Sequence, residues 1–367
     1  MTKGAGRATR SLEIDVLTDL STVEAIRPEW NRLADQQSAQ PFGLPGMAMA
    51  WWQWLGKGEL SVVTARSGQG ELVGVAPLFR RTRARLTTVS FLGRGLGAVG
   101  ELVVAPAKAD VAGALWSALD PAATVLDLGD YRHAGGGFDA LRHHDEWAIH
   151  ADLRDECPVL DLRGVDSVGA FLADPGRSGL RKKLARAHRD LGSEEASLTV
   201  STDPEAVLRE WRRLLPLYDR AEVVNQRLHL GRAPYQRFFE AALSACAAAE
   251  QLAILTLSIG GRPAAFDVYV VSGATASAIL GRFDPSLARY SPGQLLAEQG
   301  VQWAIDRGLT IVDLQLGGDR YKRRWATGSY DTLGVVAAAT PQRLTRVRAT
   351  LGAIEAAHDL KRRFRAR

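Results

Sequence analysis

The chain has 367 residues, 46% hydrophobic and 24% charged; this excludes a mostly disordered protein, and the length suggests two domains rather than one core. Of the formal charge of +5, residues 341–367 supply eight Lys or Arg against two acids, or +6, while the 38 bases and 39 acids of residues 1–340 give −1. The basic character belongs to the tail, so the body does not read as a nucleic-acid binder.

The start, MTKGAGRATR, is basic and leads into no apolar signal core, and no apolar run approaches the ~20 residues of a membrane span. A cytoplasmic protein without a span is expected. LEIDVLTDL reads as a strand, and STVEAIRPEWNRLAD as one helix despite Pro28, opened by a capping box from Ser21 to Glu24. GMAMAWWQWLG predicts a second helix on which Trp51, Trp52 and Trp54 diverge, so core packing plus one exposed ring is expected. ELSVVTARSGQGELVGVAPLFRRT is a hairpin turning on SGQG. A strand near TTVSFLG, a helix KADVAGALWSAL and a strand TVLDLGD follow. His143 and His144 beside Asp145 read as a polar turn.

DPGRSGLRKKLARAHRDLG then leads into a basic helix. Its spacing puts Lys182, Arg186 and Arg189 on one side, either as a solvated face or as a clamp for an anion. SLTVSTD is a strand, with Asp203 as N-cap and Pro204 in the first turn of the helix EAVLREWRRLLPLYDR. APYQRFFEAALSACAAAE is a helix in which Cys246 reads as a buried small apolar residue. QLAILTLSIGG, RPAAFDVYVVSG and TASAILGRFD are three strands. SPGQLLAEQGVQWAIDRG is a helix with Ser291 as N-cap, Pro292 at N1 and Gly308 on the C-cap side. TIVDLQLGG and SYDTLGVVAAA are strands around a short helix. In the tail, Leu344, Val347, Leu351, Ile354 and Leu360 predict a closing amphipathic helix, residues 341–367, with a basic end.

The order βααβββαβαβ occurs clearly in the second half and more loosely in the first. This predicts an α+β protein of two tandem domains, residues 1–165 and 166–340, each a mixed, mostly antiparallel sheet flanked by helices, with the second carrying most of the site. The order is that of the GNAT N-acyltransferase fold. The segments PFGLPGMAMAWWQWLGKGELSVVTARSGQGELVGVAPLFR, RSGLRKKLARAHRDLG, GRFDPSLARYSPGQLLAEQGVQWAIDRG and VDLQLGGDRYKRRWATG together resemble the CelD-like acetyltransferases, a tandem-GNAT group related to the FemAB and FemX peptidyltransferases. In place of the usual coenzyme A signature (Arg or Gln, two residues, Gly, one residue, Gly or Ala), this chain has RYSPGQ, in which only Arg289 and Gly293 suggest the pattern. A helix N-terminus there suits a pyrophosphate or a tRNA phosphate equally.

Acyl transfer to an amine needs a neutral nucleophile, a route for its proton, donors for the oxyanion and an anchor for the donor's carrier. Strand parity puts Pro263, Ala265, Asp267 and Tyr269 on one face, and Ile311, Asp313, Gln315 and Gly317 on one face of the later strand. Asp313, or alternatively Asp267, is expected to orient the amine or take its proton; the other role for Asp313 is an ion pair with Arg320 or Arg282. Tyr321 would give a proton to the leaving group or be a buried phenol with one hydrogen bond. Resemblance to the Fem-type enzymes implies that Lys322 stabilises the oxyanion or a substrate phosphate. Ser291, Gly293, Gln294, Arg181 and Lys182 are the expected donor or phosphate contacts. Arg282, Asp284, Gln315 and Trp325 are assigned to the substrate cleft, with Asp284 also a turn former before Pro285 and Trp325 also a core anchor.

No side-chain cluster has metal-ligand spacing, and no tightly bound cofactor is expected. The expected co-substrate is acyl-coenzyme A, an acyl-carrier protein or, as the rival, aminoacyl-tRNA; the acceptor is a small-molecule or cell-envelope amine. A further rival is a non-catalytic partner in polysaccharide or envelope synthesis.

Overall fold

The computed structural model describes residues 12–83, 85–106, 108–133, 136–225 and 233–365, with side chains 109, 220–225 and 355–365 excepted. In chain order the elements are β1 (Glu13–Leu17), α1 (Leu20–Ala25), α2 (Arg27–Gln37), α3 (Pro45–Leu55), β2 (Glu59–Arg66), β3 (Leu72–Arg83), β4 (Leu86–Phe91), β5 (Val103–Val104), α4 (Ala109–Ser117), β6 (Val125–Arg132), α5 (Gly136–Arg142) and β7 (Ala148–Asp161). They continue with α6 (Val168–Ala173), α7 (Ser178–Leu191), β8 (Ala196–Ser201), α8 (Pro204–Asn225), α9 (Ala233–Ala248), β9 (Leu252–Ile259), β10 (Arg262–Ser272), β11 (Thr275–Phe283), α10 (Pro292–Asp306), β12 (Ile311–Asp313), α11 (Arg320–Trp325), β13 (Gly328–Ala338) and α12 (Pro341–Arg365).

The α+β reading holds: a single mixed sheet runs β1-β2-β3-β4-β6-β13-β7-β12-β11-β10-β9-β8, with β5 added beside β3. All its pairs are antiparallel except β4 with β6 and β11 with β12. The sheet does not break at residue 165. β13, from the end of the chain, lies between β6 and β7, and β7 also pairs β12. Each half thus carries a strand of the other. One apolar cluster likewise joins Trp30, Met47, Trp51 and Phe79 to Trp211, Phe238, Cys246 and Phe266. A second gathers α7, α10 and Trp325 on the other face of β10, where Ala265 and Tyr269 point.

Three local readings are corrected. The predicted helix over residues 21–35 is two helices, because Pro28 has no N–H and α2 restarts around it. Its cap is Asp19, which accepts from the N–H groups of Ser21 and Thr22 at 3.2 and 3.3 Å, while Glu24 pairs with Arg27. The predicted strand TIVDLQLGG stops at Asp313: Gln315 turns left-handed at φ 60 and its N–H is taken by Asp313 Oδ1 at 2.7 Å. Asp203 caps α8 through the Ala206 N–H at 2.9 Å, as expected. Trp51 is buried, and Trp52 and Trp54 pack partly buried on the same core. Within α12, Leu344, Val347 and Leu351 rest on Val125 and Ala338. Side chains of the basic end KRRFRAR lie outside the described residues.

Candidate active site

The site grows from the place where β11 and β12 part. They pair for three residues only, Thr275 with Ile311 to Ser277 with Asp313. β11 then bulges at Ile279, since Leu280 faces Val268 while Ala278 already faces Tyr269. From Ala278 to Phe283 the β12-facing edge of β11 has no strand partner among the described residues, so main-chain donors face a gap. A small cavity of about 60 Å³ opens there, lined by Phe42, Met47, Phe238, Ile279 and Gln315.

One wall of this gap is a closed polar knot. Asp313 is 2% exposed. Its Oδ2 accepts from Gln40 Nε2 at 3.0 Å and from Tyr330 Oη at 2.8 Å, and its Oδ1 from the Gln315 N–H. Gln315 Nε2 returns a bond to Gln40 Oε1 at 2.9 Å. Both carboxylate oxygens are engaged, so the residue reads as a positioning group rather than a free base. Lys322 Nζ donates to Gln315 O at 3.2 Å and Leu316 O at 2.5 Å, closing the turn after β12. Burial, partly offset by Asp319 and nearby groups, lowers its pKa. Beside the knot lies Cys157, whose thiol burial pushes up to about 12, leaving it neutral and unsuited to nucleophilic attack near pH 7.

Asp267 differs from Asp313 in kind. It lies opposite Gly281 on the unpartnered stretch of β11. A Cβ at Gly281 would stand 2.1 Å from Asp267 Oδ1, so the glycine is what lets the carboxyl lie across the strand. Among the described residues its side-chain contact is one long hydrogen bond from Tyr269 Oη at 3.5 Å, and it has no ion pair. Burial, opposed only by that bond, pushes its pKa up to about 7. Tyr321, on α11, is 38% exposed as a residue, while burial around its hydroxyl and then the Asp267 charge raise its pKa. Asp267 is thus a carboxyl near a protonated phenol, with no ion pair among the described residues.

At the start of α10, Ser291 is left-handed and its side chain makes no cap bond. Gln294 is 6% exposed, and its Oε1 has no donor among the described residues. Gly293 lies near Phe283, which is exposed. The remaining predicted residues lie as follows. Asp284 caps its turn through the Ser286 N–H and Oγ at 2.9 and 2.7 Å. Arg282 lies over the Tyr218 ring at 5.1 Å. Trp325 is buried and stacks on Phe171 at 6.2 Å. Arg181 ties α7 to the preceding turn through Leu172 O and Asp174 O. Lys182 is exposed, and Arg186 pairs with Asp190 at 3.3 Å.

Sequence reasoning missed Gln40, Tyr330 and Gly281. Glycine at 281, inside a strand-like run, was the one available signal; Gln40 and Tyr330 meet Asp313 from 273 and 17 residues away.

Residues 178–323 match the family of GNAT acetyltransferase domains. No curated protein matches the sequence. Among solved structures, FemX aligns over 91% of this chain and 99% of its own at 12% identity and a TM-score of 0.63. The C-terminal domain of a putative lysylphosphatidylglycerol synthetase from Agrobacterium fabrum aligns over 90% and 96% at 13% identity and 0.56. L-PGS from Bacillus licheniformis aligns over 92% and 96% at 14% identity and 0.55. At such identities the likeness is one of fold.

Proposed function

We propose that this chain, whose residues 178–323 match the GNAT acetyltransferase domain and whose fold is FemX-like, moves an acyl group from a thioester, acyl-coenzyme A or an acyl-carrier protein, directly to a primary amine. The thioester carbonyl enters the gap beside β11, where the unpaired edge beyond the Ile279 bulge offers N–H donors to the oxyanion. Asp267, its pKa pushed up to about 7, takes the ammonium proton as the C–N bond forms. As the C–S bond breaks, the thiolate takes the Tyr321 proton and Tyr321 regains one from Asp267, so amine hydrogen ends on sulfur. The raised phenol pKa keeps Tyr321 protonated, so the proton from Asp267 reaches it in the same step in which it donates to sulfur. Gln294 Oε1 is placed to accept an amide N–H of the donor's carrier arm at the start of α10. The Gln40–Asp313–Gln315 knot and Lys322 hold the opposite wall.

The observation that carries this reading is Asp267, a half-buried carboxyl with no ion pair among the described residues, lying opposite the stretch of β11 that has no second strand partner. One observation favours aminoacyl-tRNA as donor instead: Lys183 on α7, its pKa lowered first by burial, also feels Arg324 and Arg320 of α11, a cation group suited to phosphates. Thermal unfolding with coenzyme A, alongside mass spectrometry of what co-purifies, separates the two. A rise in Tm with coenzyme A supports the thioester; no shift, together with co-purified RNA, assigns the tRNA donor.

A further inference from the structure

A second cavity, about 520 Å³, lies in the first half, among the ends of α2, α4, β6 and α5. Its wall includes Gln37, Glu101, Lys108, Tyr131, Arg132 and Gly137. The fold of the candidate active site makes no use of it, yet two features inside it lack partners. Tyr131 is 1% exposed, and its Oη has no hydrogen-bond partner among the described residues. A buried hydroxyl left without a partner is destabilising and asks for a reason. The space in front of it is kept open by glycine: a Cβ at Gly137 would stand 2.5 Å from Tyr131 Oη. The second feature is the start of α4, nine residues long, whose N-cap Lys108 makes no side-chain cap bond.

The charges around the cavity do not cancel toward negative. Glu101 is held by Arg132 at 3.1 Å and by the Gln40 N–H, so its charge is balanced inside the wall. Arg132 Nε is itself without a partner among the described residues. Of the acids on the two helices, Asp110 is exposed and Asp139 is exposed and paired with Arg142 at 3.2 Å. That leaves Lys108, the start of α4 without a side-chain cap and a phenol donor facing one space, with Leu102, Val104 and Phe138 as apolar wall.

We propose that this cavity is a second ligand site, for a small organic anion whose phosphate or carboxylate head meets Lys108, the α4 N-terminus and Tyr131 Oη while its apolar body fills the wall. The site stands apart from the identity of the acyl donor. It adjoins the active site through Arg132, whose guanidinium lies 5.0 Å from the centre of the Tyr330 ring, and Tyr330 in turn holds Asp313.

Isothermal titration of the full chain with phenyl phosphate and, separately, with benzoate tests it. At least one probe should saturate a single site; the tighter of the two names the head group. Lys108→Ala should weaken binding about tenfold and Tyr131→Phe about threefold or more, through loss of a charge-assisted bond. Tyr131→Phe should retain or raise Tm, since it removes only the orphan hydroxyl, and Lys57→Ala, an exposed cation outside the cavity, should bind as the parent does. Failure of both probes to bind below about 10 mM, or binding that Lys108→Ala and Tyr131→Phe leave unchanged, overturns the proposal.

Discussion

Asp267 and Asp313 stand on neighbouring parts of one sheet, and both read from the sequence as inward-facing carboxylates. What divides them is company. Asp313 has three donors, one of them Gln40 from the far end of the chain, and no local pattern announces a partner 273 residues away. Asp267 has one weak donor, so its ionised form is penalised. Its folded pKa of about 7 lies above the ordinary 3.8. Between those values the native state holds a proton that the unfolded chain has released, so stability falls as pH rises from ~4 through ~7. At ~1.4 kcal/mol per unit the ceiling on that loss is about 4 kcal/mol. Asp267→Asn should therefore raise Tm relative to the parent at pH 8, with the advantage shrinking toward pH 4, in a pH series of thermal melts. An advantage that does not change with pH would show that the carboxyl is not buried as a charge.

The part of the site that belongs to an element is the shape of β11. Its pairing with β12 ends after three residues, the bulge at Ile279 interrupts its register with β10, and Gly281 leaves room for the Asp267 carboxyl to lie across it. Sequence parity predicted the shared face of Asp267 and Tyr269, and that face is the one turned to α7 and α10. The bulge and the early end of β12 were hidden, because a strand-like alternation continues through Leu316 and only the left-handed Gln315 stops it. The basic helix shows a similar limit. Its spacing was legible, but Arg181 and Arg186 are spent on local partners and Lys182 faces solvent. Gly281→Ala should lower kcat about a hundredfold, because the new Cβ displaces Asp267 by about an ångström. Circular dichroism should show the sheet intact; unchanged kcat would mean that the carboxyl position does not matter.

Over the whole molecule, the order of elements was readable because hydrophobic periodicity is local. The exchange of β7 and β13 was not, since it depends on pairings such as Val335 with Ala151 that no short window contains. β7 could have been found: His150, Asp152, Arg154 and Glu156 alternate through a polar stretch that lacks the usual apolar signal. The division into residues 1–165 and 166–340 is kept as a proposal about how the chain is built, although the sheet and one apolar cluster run through it. The expected GNAT domain is borne out by the match over residues 178–323, and the expected likeness to FemX holds at the level of fold. No helix among the described residues is long and apolar enough to cross a membrane.

The central claim is that Asp267 takes a proton while a thioester gives up its acyl group in the β11 gap. Thiol release from acetyl-coenzyme A with a panel of primary amines, followed from pH 5 to 9, tests it on the parent and on Asp267→Asn. The parent rate should rise through an inflection near the Asp267 pKa of about 7, and the variant should lose the inflection and about a hundredfold or more of kcat/KM. A variant that keeps both the rate and the inflection, or a parent that releases no thiol with any amine yet transfers from aminoacyl-tRNA, would contradict the account.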